Sequence, residues 1–414
     1  MVEEPAEDVV AVIGAGIIGC AVCWALTRAG RHVLLLDRAP PATAGASFGN
    51  AGHIASEQVQ TLPSPALLAG FWRELFRFGG PLDIPPRRLW SLAPWLARFA
   101  VAALQQGAHS RALAPLIRHS ADALETALEQ VGRRDLLRRN GHYELWLGPQ
   151  AAQHASNRRR RAAALQIATQ PIPARLLPAL CAGKAGDGVW FPDSAHVLDP
   201  ALVARAFVAA AVAGGAAIRQ TFVSDVQPRE RRIEIATQSG TLSVRTAIVC
   251  AGAWSASMLA PFGLLAPLEA ERGYHVELRD HPPLVDAPVV YAEHSMVVTP
   301  MTSRLRCTGF LEFAGLDAPP DSRKPERLRA ALRQLGYCCE RSADSWMGPR
   351  PTLPDYLPGI GRAATGHELF YAVGHQHLGL TLAAVTAQII ADLVCGQHLH
   401  FDIAPLDLRR FGRP

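Results

Sequence analysis

Gly14, Gly16 and Gly19 stand in G-x-G-x-x-G spacing, and Asp37 follows eighteen residues after the last of them. Glycines so spaced let a turn close tightly, bring backbone against a pyrophosphate and seat a helix against a strand. A carboxylate at that distance can accept a hydrogen bond from a ribose 2′-hydroxyl. The chemistry implied is adenine-dinucleotide binding, set against the plainer reading of an ordinary strand-to-helix turn. Three later stretches are rich in small residues of the kind that let backbone lie on a ligand. They are Gly45-Ala-Ser-Phe-Gly-Asn-Ala-Gly-His53, Cys250-Ala-Gly-Ala-Trp254 and Gly374-His-Gln-His-Leu-Gly-Leu-Thr381. No convincing Ser/His/Asp set or carboxylate pair accompanies them. Cys20-x-x-Cys23 falls in the first turns of the dinucleotide helix without a second pair, so the eight cysteines read as small core residues and no metal centre is expected.

The elements that must position these residues follow from pattern. Residues 9–13 are a β-branched run that reads as a buried parallel strand; an apolar helix runs to about residue 29, Gly30 closes it, and residues 33–36 form a second strand. Residues 9–26 carry no charge and are long enough to span a membrane, but the glycine fingerprint and the strand–helix punctuation favour a soluble unit. Between Ser64 and Ala108 the aromatics Phe71, Trp72, Phe76, Phe78, Trp90, Trp95 and Phe99 alternate with Arg73, Arg77, Arg87, Arg88 and Arg98. Prolines 81, 85, 86 and 94 predict short amphipathic helices there, either packed on the core or laid on a membrane surface. Asp199-Pro200 opens a helix as N-cap and first residue. Residues 233–237 and 241–249 read as strands, 324–335 as a charged amphipathic helix, and 369–373 as a strand leading into an apolar helix that ends near 394.

The chain has 414 residues, 49% of them hydrophobic, which suits two packed lobes rather than one core or a disordered chain. Its mean hydropathy is +0.09. Forty-one Lys and Arg against 36 Asp and Glu give a net charge of +5, and the charge is scattered, with no nucleic-acid-binding motif beside it. No secretory signal precedes the first strand, so a reducing cytoplasm is the expected compartment.

Repeated glycine-rich approaches from the N-terminus almost to the C-terminus fit FAD better than NAD. With Ala46-Ser-x-x-Asn-Ala-Gly52, Gly348-Pro-Arg-Pro-x-x-Pro-Asp355-x-x-Pro-x-Ile-Gly361 and the motifs above, nearly the whole chain resembles the D-amino-acid oxidase/dehydrogenase superfamily of flavoproteins. The aromatic insert is more similar to bacterial D-amino-acid dehydrogenases, and residues 49–58 and 374–381 look most like D-hydroxyproline dehydrogenases. The resemblance implies an α/β fold: a Rossmann-like FAD-binding domain of glutathione-reductase type (1–60, 150–262 and 346–414). A discontinuous α+β substrate domain with an antiparallel sheet would take 61–149 and 263–345.

The resemblance also assigns residues. Gly14, Gly16, Ile17, Ile18, Gly19, Asp37 and Arg38 would hold the adenosine and pyrophosphate end of FAD. Ser47, Asn50, Ala51 and Gly52 would line the pyrophosphate and isoalloxazine, Val223 would meet the adenine through its main chain, and Gly252 and Trp254 would approach the pyrophosphate. His377, Leu378, Gly379, Leu380 and Thr381 would face the flavin pyrimidine edge, where helix-terminal N–H groups suit the negative charge of reduction. Arg350 would grip the substrate α-carboxylate with Tyr274 sharing it, and His53 would face the amine or a ring hydroxyl. Covalently flavinylated members carry a cysteine near the C-terminal motifs; residues 348–361 have none, so noncovalent FAD is expected.

The implied reaction is oxidation of a D-amino or imino acid to its imine by hydride transfer to flavin N5, with cis-4-hydroxy-D-proline the first candidate. Electrons would leave to a quinone or other carrier. Peripheral contact with the inner membrane and a homo-oligomer are compatible partners; nucleic acid is not. A broader D-amino-acid dehydrogenase, a glycine or sarcosine oxidase-like enzyme, a non-catalytic FAD-binding subunit and an NAD-linked dehydrogenase are the alternatives.

Overall fold

The computed structural model describes residues 2–3, 8–279, 281–339 and 344–412. Val9–Ile13 lies inside a six-stranded sheet in the order Ala217–Gln220, His32–Asp37, Val9–Ile13, Thr246–Val249, Glu368–Val373, Gly359–Arg362, parallel except for the last pair. The alternation of the strand splits its side chains between two cores. Val10 and Val12 join Val33 and Leu35 under the helices, whereas Ala11 and Ile13 join Leu34 and Leu36 on the opposite face. On the first face the helix Ile17–Arg28 packs against Pro200–Ala213 and Ala383–Cys395, with Trp24 and Phe207 ring centroids 5.2 Å apart. Being covered on several sides, it is apolar almost all round. On the second face lies a four-stranded sheet whose Val226, Ile233, Ile235, Leu242 and Val244 complete the core. This is the expected dinucleotide-binding architecture. Among the described residues no helix is long and apolar enough to cross a membrane; residues 9–26 are a strand, a turn and most of one helix.

Residues 241–249, expected as one strand, serve two sheets. Gly240–Val244 pairs with Arg232–Thr237, and after Arg245 the chain crosses to place Thr246–Val249 beside Val9–Ile13. The continuous β-branched pattern conceals that switch.

The nine-stranded sheet centres on Glu269–Arg279, flanked by Arg304–Glu312 and by the edge strand Ser345–Thr352. Edge position accommodates Pro349 and Pro351, which offer no N–H to a neighbour. Its far end is His142–Leu147, Gly186–Phe191 and Gln170–Pro171. Gln170–Pro171, Gly186–Phe191 and Ser345–Thr352 therefore pair with the antiparallel sheet, although the sequence boundaries put 150–262 and 346–414 with the FAD-binding half. Local pattern identifies strands there but not the sheet they join.

The insert forms the helices Pro65–Glu74, Leu89–Leu104 and Gln106–Gln130. Pro94 does not break its helix as expected, and Pro115 lies inside the next; each removes a single intrahelical bond that packing of the apolar face outweighs. Trp95 and Phe99 pack on Phe313 and Tyr356, so one face of the insert belongs to the core. Trp72, Phe78 and Trp90 are exposed, at 56%, 58% and 90%.

Asp199 caps its helix as expected, accepting from Ala201 N at 2.8 Å and Leu202 N at 3.4 Å. Its other oxygen takes Arg304 Nη2 at 2.7 Å. Asp199→Ala is expected to cost about 2 kcal/mol, the upper range for a lost N-cap. Denaturant unfolding of the holoprotein would read it, and an unchanged midpoint would mean that neither contact stabilises the fold.

Candidate active site

A cavity of about 450 Å³ opens at the C-terminal ends of the parallel strands, lined by Gly14, Gly16, Ile17, Ile18, Asp37, Arg38, Ser47, Asn50, Val223, Gly252, Trp254, Gly379 and Leu380. These thirteen include residues from each of the four glycine-rich stretches named in the sequence, joined by Asp37, Arg38 and Val223. The cradle depends on absent side chains. A Cβ on Gly14, where φ is +106°, would sit 2.4 Å from the Cys250 carbonyl oxygen, and one on Gly19 would sit 1.8 Å from that of Gly14. The loop is also tied from outside. Ser47 Oγ accepts from Ile17 N at 2.9 Å, and Asp37 accepts from Ala15 N at 2.6 Å and Ala39 N at 3.0 Å. Asp37 thus fixes the glycine turn, with lone pairs left for a ribose hydroxyl. Arg38 lies 4.3 Å over the Trp254 ring, closing one side.

The remaining expected cofactor residues do not line this cavity. Gly19 acts through close packing. Gly52 donates its N–H to Asn50 Oδ1 at 2.9 Å, Leu378 is in the core, and Thr381 Oγ1 accepts from Ala55 N at 3.3 Å. His377 bonds Gln58 Oε1 at 2.7 Å, and burial holds it down to about 4, so it is neutral near pH 7. Ala51 continues the same loop outside the lining. Sequence reading passed over His375 and Gln376, which line the cavity, and Pro349 and Pro351, which line it beside them. Their neighbours in the glycine motifs were the available signal.

The loop 48–50 is held by the antiparallel sheet. Arg306 Nη1 donates to the Asn50 carbonyl at 2.6 Å, His275 bonds the Gly49 carbonyl at 3.0 Å, and Trp346 occupies the space a Gly49 side chain would need.

Arg350 alternates with the two cavity-lining prolines and lays its guanidinium over Gly273, where a Cβ would be 2.3 Å from Nη2. Nη1 donates to Glu271 Oε1 at 2.9 Å and to the Phe310 carbonyl at 3.2 Å. Glu271 is fully buried, and its other oxygen accepts from Tyr356 OH at 2.7 Å and Thr352 Oγ1 at 3.3 Å. Phe310, Tyr356 and Gln376 all have φ between +45° and +68°, and Gln376 Nε2 bonds the Tyr356 carbonyl at 2.8 Å. Left-handed backbone at non-glycine residues costs about 1–3 kcal/mol each. Three such residues around one guanidinium mark a place where geometry is held against local preference. Among the described residues, Nε and Nη2 make no hydrogen bond with side chain or backbone. That edge can receive a carboxylate.

Tyr274 does not join this group. It lies on the other face of its strand, its hydroxyl donating to Glu312 at 2.6 Å and accepting from Arg272 and Asp321 N. Period-two alternation separates it from Gly273, over which Arg350 lies. His53 packs its ring 4.5 Å from His142, in a buried group with Glu57, Ser194 and His196. Burial holds His142 down to about 3 and His53 below its ordinary value.

The fold and the cradle define an FAD-binding oxidoreductase. The chain belongs to the family described as FAD dependent oxidoreductase (DAO), which matches residues 9–393. It is 28% identical over 423 residues to a D-amino-acid oxidase of Bradyrhizobium diazoefficiens, covering 97% of this chain and 98% of that one. It is also 28% identical over 436 residues to a D-amino acid dehydrogenase of Cereibacter sphaeroides, covering 98% and 96%. A glycine oxidase from Geobacillus kaustophilus shares the fold at a TM-score of 0.75 and 22% identity, over 97% of this chain and 98% of that one. The cofactor is FAD, and the glycine cradle and the Asp37 carboxylate fit it.

Proposed function

We propose that the enzyme oxidises a D-amino or D-imino acid to its imine, with cis-4-hydroxy-D-proline the preferred substrate and a quinone or other carrier as final acceptor. The observation that carries the reading is Arg350: one edge is fixed by Glu271 and the Phe310 carbonyl, and the other is free for two parallel hydrogen bonds to a carboxylate. FAD, when bound, supplies the two-electron acceptor. The chain contributes orientation. Arg350 holds the carboxylate so that the Cα–H bond faces the cavity. As that bond breaks and C=N forms, the proton from nitrogen passes to solvent. The amine must be neutral first, because an ammonium has no lone pair to support the new bond. Rate enhancement then rests on positioning.

Support for a cyclic hydroxylated substrate comes from the two segments that resemble hydroxyproline dehydrogenases. They meet: His377 bonds Gln58, and Ala55 N bonds Thr381. Both carry neutral polar side chains, the type that a ring hydroxyl would need. The exposed Trp72, Phe78 and Trp90 among arginines support a peripheral membrane contact where a quinone would be reached.

Turnover of cis-4-hydroxy-D-proline, D-proline, D-alanine and sarcosine with a dye acceptor tests the reading. The hydroxyproline is expected to lead in kcat/KM by at least about tenfold, the worth of one hydrogen bond to a substrate hydroxyl. A panel led by D-alanine or sarcosine would replace it with a broader dehydrogenase or a glycine oxidase-like activity. Failure of all four to bleach the flavin anaerobically would favour a non-catalytic subunit.

A further inference from the structure

His53, Glu57 and His142 bring three metal-ligand side chains together from two distant parts of the chain. His53 opens the short strand His53–Ile54, Glu57 follows it, and His142 opens the strand His142–Leu147 of the large sheet. Glu57 and His142 are 6% and 1% exposed, and the His53 side chain is 9% exposed. Glu57 Oε2 lies 3.9 Å from His53 Nε2 and 3.8 Å from His142 Nδ1, and the three atoms lie within 4.8 Å of one another. These distances are too long for hydrogen bonds. They suit atoms sharing one ion at about 2.0–2.2 Å from each after a small adjustment.

Ser194 Oγ accounts for part of the group, at 2.9 Å from both His142 Nδ1 and Glu57 Oε2. It does nothing for His53 Nε2, which is buried without a partner. An unsatisfied buried nitrogen costs about 1–3 kcal/mol, so a nitrogen directed at a buried carboxylate, yet beyond bonding distance, calls for a bridging group. A second cavity, of about 270 Å³, supplies a route. Glu57 and Ser194 form part of its wall, and the exposed Arg118, Asp122 and Asp193 line it towards solvent.

We propose that His53 Nε2, Glu57 Oε2 and His142 Nδ1 bind one divalent transition-metal ion, with Zn²⁺ the best match to two imidazoles and a carboxylate. Ser194 then keeps its bond to Glu57 as an outer contact that orients the carboxylate. Mg²⁺ and Ca²⁺, which require oxygen ligands, do not fit. The other comparable cluster, Asp83, Glu312 and Asp321, takes no cation: Lys324 Nζ already sits 2.6–2.8 Å from all three carboxylates.

The test uses FAD-loaded protein stripped with EDTA, equilibrated with ZnCl₂, desalted and assayed for metal by mass spectrometry. One zinc per chain is expected, undisturbed by millimolar Mg²⁺. Glu57→Gln and His142→Gln are each expected to weaken binding at least a hundredfold, and Ser194→Ala only about tenfold, as outer contacts do. Flavin content and circular dichroism establish that each variant is folded. Less than a tenth of a zinc per wild-type chain would overturn the proposal, as would undiminished zinc in folded Glu57→Gln and His142→Gln.

Discussion

Arg350→Ala is expected to lower kcat/KM for the preferred amino acid by about two to four orders of magnitude. Two charge-assisted hydrogen bonds are lost, each worth about 1.5–3 kcal/mol. The flavin is expected to stay bound, because Arg350 does not line the cavity. Arg350→Lys is expected to recover little of the loss, since an ammonium cannot offer two parallel donors. The same variant carries a second, separable cost. Glu271 is fully buried and loses its only salt-bridge partner among the described residues, which destabilises a protein by about 3–5 kcal/mol. Adding Glu271→Gln to Arg350→Ala is therefore expected to restore most of the unfolding midpoint and none of the activity. Steady-state kinetics with denaturant melts separate the two effects. Wild-type kcat/KM in Arg350→Ala would place the carboxylate elsewhere; failure of the double variant to regain stability would mean Glu271 is not held by charge.

Gly14→Ala is expected to yield protein without flavin and with several kcal/mol less stability. The new Cβ would meet the Cys250 carbonyl at 2.4 Å and would have to adopt φ near +106°. Backbone forms both sides of that clash, so no side-chain rotation relieves it. Gly30→Ala is the control: φ is +79° there with nothing within 4 Å, so only left-handed strain of about 1–2 kcal/mol applies. The flavin-to-protein absorbance ratio and the thermal midpoint distinguish them. Equal behaviour of the two variants would show that conformation, not close approach, makes Gly14 necessary.

What the sequence disclosed and what it hid divide along physical lines. The strand, glycine turn, helix and acid of residues 9–37 are local and strongly patterned, and the structure reproduces them to within a residue or two. Asp199-Pro200 likewise opens a helix by chemistry that lies within a few residues. Tyr274 shows the limit. Alternation says that it and Gly273 point opposite ways, but not which face meets the arginine. Glu271 could not be foreseen as the partner of Arg350, because 79 residues separate them and only strand register unites them. The His53–Glu57–His142 group is hidden for the same reason. Proline 94 misled in the opposite direction: a local helix breaker was outweighed by the tertiary packing of the helix that holds it.

The crossing at Arg245 has a consequence for how this protein must be made. Val9–Ile13 needs Thr246–Val249 on one side, and that strand emerges roughly 230 residues later. At a synthesis rate of about 5–20 residues per second, a strongly apolar strand stands with an open edge for roughly ten to fifty seconds on the ribosome. During that wait the only strand partner already synthesised for it, among the described residues, is His32–Asp37, joined through its own helix. An early βαβ unit that cannot close its sheet is a surface for other nascent chains to pair with. The yield of folded enzyme should therefore depend on what shields that edge during translation as much as on the final stability of the sheet.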